Sequence, residues 1–282
     1  CPPAVAAVSV TATLRKLESF GTRDTNGVIE APDRGIKAAR EWIAQELRSY
    51  SPRLDVRFDP HSVKKSARIV KDIDVVNVVA VLKGKTQPEV EVVVGAHYDS
   101  MNMIFKAGTP RSFDADATAS SAHAPGVSDN GSGTALVLEL ARVMSQYEFD
   151  KTVVFIAFAG EEQGLLGAGG YAETAEKNKA HLEAVINVDV IGNDVTGNGI
   201  QAGNRVNVYS ADPMDSGSRS LARYLREVSA LYQPGFRFNP VFRQDRFGRG
   251  GDHTPFLSHG FSAVRVTTPT EQLEFQHNDK DT

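Results

Sequence analysis

Cysteine is nearly missing: the 282 residues contain one, Cys1. No internal disulfide can form, and no thiolate metal site can be assembled. Long hydrophobic runs are missing too, and none approaches the roughly 20 residues that a membrane-spanning helix needs. Positive charge is not in excess. The 31 Lys and Arg are outnumbered by 35 Asp and Glu, for a net charge of −4, whereas nucleic-acid binding needs a basic face. Residues 1–10 lack the charged start and apolar centre of a secretory signal, so a signal is expected to be absent or already removed. Cys1 fits either a processed lipoprotein, whose mature chain begins at a lipid-modified cysteine, or an arbitrary start to the chain. The location expected is extracytoplasmic: secreted, periplasmic or lipid-anchored through Cys1. No repeat, low-complexity tract or domain boundary interrupts the sequence. With 41% hydrophobic residues, residues 1–282 can bury one full core as a single domain.

What is present is alternation. Residues 33–47 carry Ile36, Ala39, Trp42, Ile43 and Leu47 on one helical face. Residues 54–58 and 75–82 read as strands, and Val90–Ala96 is an apolar strand ending at His97. Helices follow at 134–144, 166–175 and 216–231. Strands follow at 152–158, 184–190, 206–209 and 262–266. This order predicts an α/β three-layer sandwich: a central mixed, mostly parallel sheet flanked by helices. Residues 101–125, rich in Ala, Ser, Thr and Asp, break the alternation and predict a long surface loop near a strand end, where long loops are often functional.

Five elements carry chemistry. Glu161-Glu162 follow the buried strand and Gly160; neighbours in extended chain point to opposite sides, so one can bind a metal while the other handles a proton. His97 and Asp99, two apart, share a side, and Asp99 can orient His97 as a carboxylate does behind a metal-bound imidazole. Asp129-Asn130-Gly131-Ser132-Gly133 opens a helix, and capping alone would favour such residues there. Asp189 sits among apolar neighbours, where a carboxylate must be paired or bound to a metal. His277 follows the last strand. Taken singly, paired glutamates and a lone histidine are usually solvated surface groups.

Coincidence raises their weight. Four of the five lie at the carboxyl ends of apolar strands or at a following helix start, and in a parallel sheet those ends share one edge. Two histidines with three or more carboxylates form an N/O donor set suited to zinc, with manganese or cobalt as substitutes. Five ligands exceed what one tetrahedral ion needs. Two ions roughly 3.5–4 Å apart, bridged by a carboxylate, would use them all.

The segments Gly95-Ala96-His97-Tyr98-Asp99-Ser100, Ser128–Gly133, Ala159–Gly167, Asn187-Val188-Asp189 and Gln276-His277 resemble, in order and approximate spacing, the five motifs of the di-zinc aminopeptidase family of co-catalytic metallopeptidases. This family shares a superfamily with glutaminyl cyclases and glutamate carboxypeptidases. The resemblance runs from about residue 33 to the end. It implies a zinc exopeptidase that releases N-terminal residues from peptides with a free N-terminus. His97 and Asp189 would bind one zinc, Glu162 and His277 the other, and Asp129 would bridge them across a cis peptide bond to Asn130. Glu161 would act as general base, taking a proton from a water held by the ions to give the attacking hydroxide, and then as general acid towards the leaving amine. Asp99 would stand behind His97.

The match has gaps. Many relatives have a tyrosine before the last histidine, thought to assist the oxyanion; here Gln276 occupies that position. His253, in a loop that resembles one near the family's pocket, is a candidate for substrate contact, as is Gln276. Arg243, Arg246 and Arg249 could meet a peptide carboxylate, though charge runs are usually solvated. The sequence stops at Thr282 where relatives continue into a final helix, so a truncated C-terminus is expected. Other readings are a single-zinc glutaminyl cyclase, whose bridging motif lacks the pattern at 129–133, a carboxypeptidase supported only by the arginines, and a non-catalytic binding domain. Such domains typically lose ligands or the base, and here all are present.

Overall fold

The computed structural model describes residues 5–29, 31–109, 112–195 and 198–282. Cys1, and with it the expected lipid anchor, lies outside the described residues. Among the described residues eight strands form one sheet: β1 (Leu54–Val63), β2 (Ile73–Leu82), β3 (Gln87–His97), β4 (Lys151–Phe158), β5 (His181–Val188), β6 (Arg205–Ser210), β7 (Arg237–Val241) and β8 (Ala263–Thr267). Their order across the sheet is β1-β2-β4-β3-β5-β8-β6-β7. The central four, β4-β3-β5-β8, are mutually parallel. Antiparallel pairings join β1 to β2, β2 to β4 and β6 to β8, and the edge strand β7 runs parallel to β6. The carboxyl ends of the central four therefore share one edge, where an open α/β sheet gathers its ligands.

The helices are α1 (Ala7–Ser19), α2 (Gly35–Tyr50), α3 (Ala115–Ala119), α4 (Ser132–Met144), α5 (Leu166–Lys177), α6 (Gly217–Tyr232) and α7 (His253–Ser258). The side-chain period of two explains how β4 serves two layers. Val153, Phe155 and Ala157 face a core built with Leu17 of α1, Ile43 and Leu47 of α2, and Leu138 of α4. Val154, Ile156 and Phe158 face the opposite core, with Ala168 and Ala172 of α5 and Phe256 of α7. A third cluster joins Val208, Val264 and Val266 to Ala222 of α6. Each fully buried side chain of this kind stabilises the fold by about 1.5–3 kcal/mol. This is the expected sandwich.

A Cβ on Gly95 would meet Cε2 of Phe158 at 2.3 Å, so glycine lets that ring lie across β3. A Cβ on Gly133 would meet the Val188 carbonyl at 2.4 Å. The bare backbone there lets α4 start hard against the end of β5, which sets where Asp129 stands.

Residues 101–125 are less of a surface loop than expected. They contain α3 and a bridge between Phe105 and Phe113, and Met101, Thr118, Ala119 and Ala124 are buried. The reason is local: Asp114 caps α3 by accepting from the Ala117 amide, and Ser100 Oγ donates to the Ala124 carbonyl.

Candidate functional site

Each site residue stands at an element boundary on the shared edge. His97 is the last residue of β3 and Asp189 follows β5 directly. Glu161 and Glu162 follow β4 through Gly160, whose φ of 76° favours glycine. Asp129 lies in the kinked turn before α4, with a cis peptide bond to Asn130, and His277 lies beyond β8. Asn130 staples that turn to the end of β5: its Oδ1 accepts from the Gly133 and Val190 amides, and its Nδ2 donates to the Val188 carbonyl. Two residues that sequence reasoning passed over hold the turn from the other side. Asp281 accepts from the Ser128 amide at 2.7 Å and the Asp129 amide at 2.9 Å. Arg23, fully buried, donates to the carbonyls of Leu17, Tyr98, Pro125 and Gly126.

The side chains form two donor groups joined by Asp129. His97 Nε2 lies 3.2 Å from Asp129 Oδ1 and 3.6 Å from Asp189 Oδ1. His277 Nε2 lies 3.2 Å from Asp129 Oδ2 and 3.0 Å from Glu162 Oε2. Asp129 thus turns one oxygen to each histidine. Donor atoms of His97, Glu161 and Asp189 lie within 4.8 Å of one another, as do those of Asp129, Glu162 and His277. Asp99 sits behind His97. One oxygen is 3.6 Å from His97 Nδ1, and the carboxylate accepts from Thr25 Oγ1 and from the amides of both Glu161 and Glu162. One aspartate therefore orients the histidine and fixes the two glutamates together.

The charges at this site are costly unless compensated. Burial raises the Glu161 carboxyl well above the ordinary range; His97 opposes this, while Glu162 and Asp189 add to it. Burial likewise raises Glu162, against the attraction of His277. Asp129 goes the other way. Burial opposes its ionisation, but the close approach of His277 and His97, each 3.2 Å away, prevails and holds it well below its usual value. His277 is pushed up to about 11, chiefly by Glu162. His97 Nε2 and Glu162 Oε1 are buried without a hydrogen-bond partner. Converging N and O donors, an excess of carboxylates and unsatisfied buried atoms suit divalent cations, which would supply the missing positive charge.

Behind the site lies a buried ionic network. Arg265, in the middle of β8 and fully buried, donates from Nε to Asp189 Oδ2 at 2.8 Å and from Nη1 and Nη2 to Asp245 and Glu271. Arg246 pairs with the same two carboxylates. Burial opposes ionisation of Asp189, but Arg265 foremost draws its pKa down to about 2. The sequence signal was available, because a charge inside an apolar strand must be paired. Glu271 also accepts from Gln276 Nε2 at 3.1 Å.

A cavity of about 320 Å³ opens over the two donor groups, with Asp129, Glu161, Glu162, Asp189 and His277 at its base. Its walls include Arg68, Met101, Met103, Leu165, Arg246 and Arg249. A larger hollow of about 770 Å³ between α6, β6 and β7 holds no carboxylate or histidine, so chemistry rather than size marks the site. Gln276 and His253, expected at the substrate, do not line this cavity. Gln276 is turned to Glu271, and His253 is fully buried with Nε2 2.8 Å from the Gln244 carbonyl. Neither side chain thus reaches the cavity where substrate contact was expected of it. Arg243 is also turned away, stacked on Phe247 at 4.1 Å, and Arg68, not singled out in the sequence, takes its place in the wall.

A parallel sheet edge carrying two carboxylate–histidine groups that share one aspartate is the framework of a metal-dependent hydrolase centre. The model of peptidase family M28 matches residues 77–282, and the chain belongs to that family. It is 34% identical to a probable zinc metalloprotease of Leptosphaeria maculans, over 98% of this chain and 66% of that protein. It spans about three-fifths to two-thirds of the length of such curated relatives. A zinc aminopeptidase from Bacillus subtilis shares the fold with a TM-score of 0.69 at 19% identity, covering 99% of this chain and 90% of that one. A glutaminyl cyclase of Porphyromonas gingivalis shares it with a TM-score of 0.72 at 18% identity, covering 99% and 91%. At these identities the solved structures speak for the fold.

Proposed function

We propose that this chain is a two-zinc aminopeptidase. His97 and Asp189 would hold one ion and Glu162 and His277 the other, with Asp129 presenting an oxygen to each. Asp129 carries the reading: its Oδ1 and Oδ2 each lie 3.2 Å from a different histidine. When bound, the ions supply Lewis-acid chemistry, polarising the scissile carbonyl and acidifying water.

The protein's own groups do the rest. Glu161 belongs with His97 and Asp189 in space, yet Asp129 with either histidine completes a donor set without it, which leaves its carboxylate free for a proton. It takes a proton from the attacking water as the oxygen–carbon bond forms. It returns that proton to the amine nitrogen as the carbon–nitrogen bond breaks. Asp99 fixes Glu161 through its backbone amide, so the base keeps its place through both steps. The metal-facing carboxylates also offer partners for the free amine of a substrate.

The test is a panel of peptides with free and acetylated N-termini, with and without a chelator. Cleavage confined to free N-termini, abolished by chelation and restored by zinc, is expected. Cleavage of blocked peptides from the C-terminal end would favour a carboxypeptidase. Cyclisation of N-terminal glutamine with one equivalent of zinc and no peptide release would favour a glutaminyl cyclase. Zinc binding without any turnover would leave a binding domain.

A further inference from the structure

We infer that the walls of this cavity form a carboxylate-binding subsite, so that the preferred substrates are short peptides with a carboxylate next to the scissile bond. The inference rests on the peptidase reading above and names its substrate class.

Four arginines share the cavity with the metal-facing carboxylates, and their states differ; Arg265 is paired with Asp189, Asp245 and Glu271. Arg246 is spent, since Asp245 and Glu271 already neutralise it. Arg68 is held but not neutralised. Its Nη1 donates to the Glu162 carbonyl at 2.8 Å, and its guanidinium stacks over the Phe113 ring at 5.4 Å. Among the described residues no carboxylate pairs with it, nor with Arg249. An arginine held by stacking and a backbone carbonyl keeps further N–H donors in a fixed fork, and that fork matches a carboxylate. Arg68 also touches the backbone of the glutamate pair itself, so an anion bound there lies close to the reacting bond.

The carboxylates at the base do not consume these cations. Asp189 is paired by Arg265, and Asp129 and Glu162 face the two histidines. Bound divalent ions would lower the remaining negative charge further and leave the upper walls positive. Size points the same way. At about 320 Å³ the cavity lies at the small end of ligand pockets, which suits a dipeptide-sized group better than a long side chain plus an extended peptide. The carboxylate has two possible sources, the C-terminus of a dipeptide or an acidic side chain beside the cleaved bond.

The test compares Ala-Ala, Ala-Ala-amide, Ala-Glu-amide, Glu-Ala-amide and Ala-Gln-amide on the zinc-loaded protein. It also measures binding of the same peptides to zinc-loaded Glu161→Gln protein by calorimetry. The carboxylate-bearing peptides are expected to show kcat/KM at least tenfold above their amide counterparts, mostly through KM. In the R68Q/R249Q double variant that ratio falls towards one, while R68K, which keeps charge but loses the fork, recovers only part of it. A preference for Ala-Ala alone identifies the C-terminal source, and a preference for Ala-Glu-amide or Glu-Ala-amide the side-chain source. Equal rates and equal binding for acids and amides, or a preference that survives R68Q/R249Q, would overturn the subsite. If no peptide is cleaved but the Glu161→Gln protein binds acids selectively, the subsite stands and the aminopeptidase reading falls.

Discussion

Replacing Arg265 by methionine removes the charge but keeps much of the aliphatic stem, and so isolates what the guanidinium contributes. In the native protein it touches three carboxylates, Asp189 at 2.8 Å, Asp245 at 3.3 Å and Glu271 at 3.4 Å. Asp245 and Glu271 keep Arg246. Among the described residues Asp189 keeps no arginine or lysine, only His97 at 3.6 Å. The loss therefore falls mainly on one buried carboxylate. Breaking a buried pair by removing one partner costs about 3–5 kcal/mol, a large share of a typical total stability of about 5–15 kcal/mol. The metal-free R265M protein should lose that amount in urea unfolding, seen as a lower midpoint at unchanged m-value. On the proposed ligand set zinc would supply a second compensating charge to Asp189, so the stabilisation gained on adding zinc should be larger in R265M than in the wild type. The reasoning is refuted if the metal-free deficit is below about 1 kcal/mol, or if zinc stabilises the variant less than the wild type.

Glu161→Gln should retain the wild-type metal content by elemental analysis while losing about 10²–10⁴-fold in kcat, the usual worth of a general acid–base group. Glu139 is held down to about 2, chiefly by hydrogen bonds from Arg142, with the Ala6 amide and Ser9 assisting. A depressed carboxylate contributes stability that is complete above its ordinary value near 4.5 and lost as pH falls through about 2. The stability gap between wild type and Glu139→Gln should thus be on the order of 1–3 kcal/mol at neutral pH and close below pH 2; a gap independent of pH would contradict this. Asp281→Ala strands the buried Asp129 amide and the half-buried Ser128 amide, and should cost about 1–3 kcal/mol for a fully buried donor left unsatisfied. It should also weaken zinc binding measured by competition with a chelator, because Asp129 loses its support.

The legible parts of this protein were those where local pattern and tertiary role agree. The strands that end at His97, Phe158 and Val188 are nearly continuous apolar runs, and an embedded Asp189 could be read as paired from its neighbours alone. The missed elements are ones whose residues argue against their structure. Helix α1 carries Val8, Val10, Thr11 and Thr13, β-branched residues that stiffen a helix, and it is held by packing on α4 and by Glu139. Strand β7 contains Pro240, which only an edge or irregular strand tolerates. Helix α7 is six residues long with Pro255 in its first turn. Arg265 was hidden for another reason. The rule that exposed Asp189 applies to it equally, but its partners Asp245 and Glu271 are 20 and 6 residues away along the chain, and no spacing announces such a meeting. Gln276 shows the limit of reading a site by position. Its place beside His277 suggested the substrate, whereas its side chain faces Glu271.

The division between the strand ends and the loops above them has a consequence for redesign. The five donor residues are anchored by sheet register, by Asn130 and by Asp281, whereas Arg68 and Arg249 come from the segments 64–72 and 242–251, which contribute none of those donors. With Asp245 and Arg246 kept, because they brace Arg265 and through it Asp189, the rest of the two segments can be exchanged between homologues, or randomised together in a library, without touching a donor residue. A selection on peptide length or charge would then act on recognition alone.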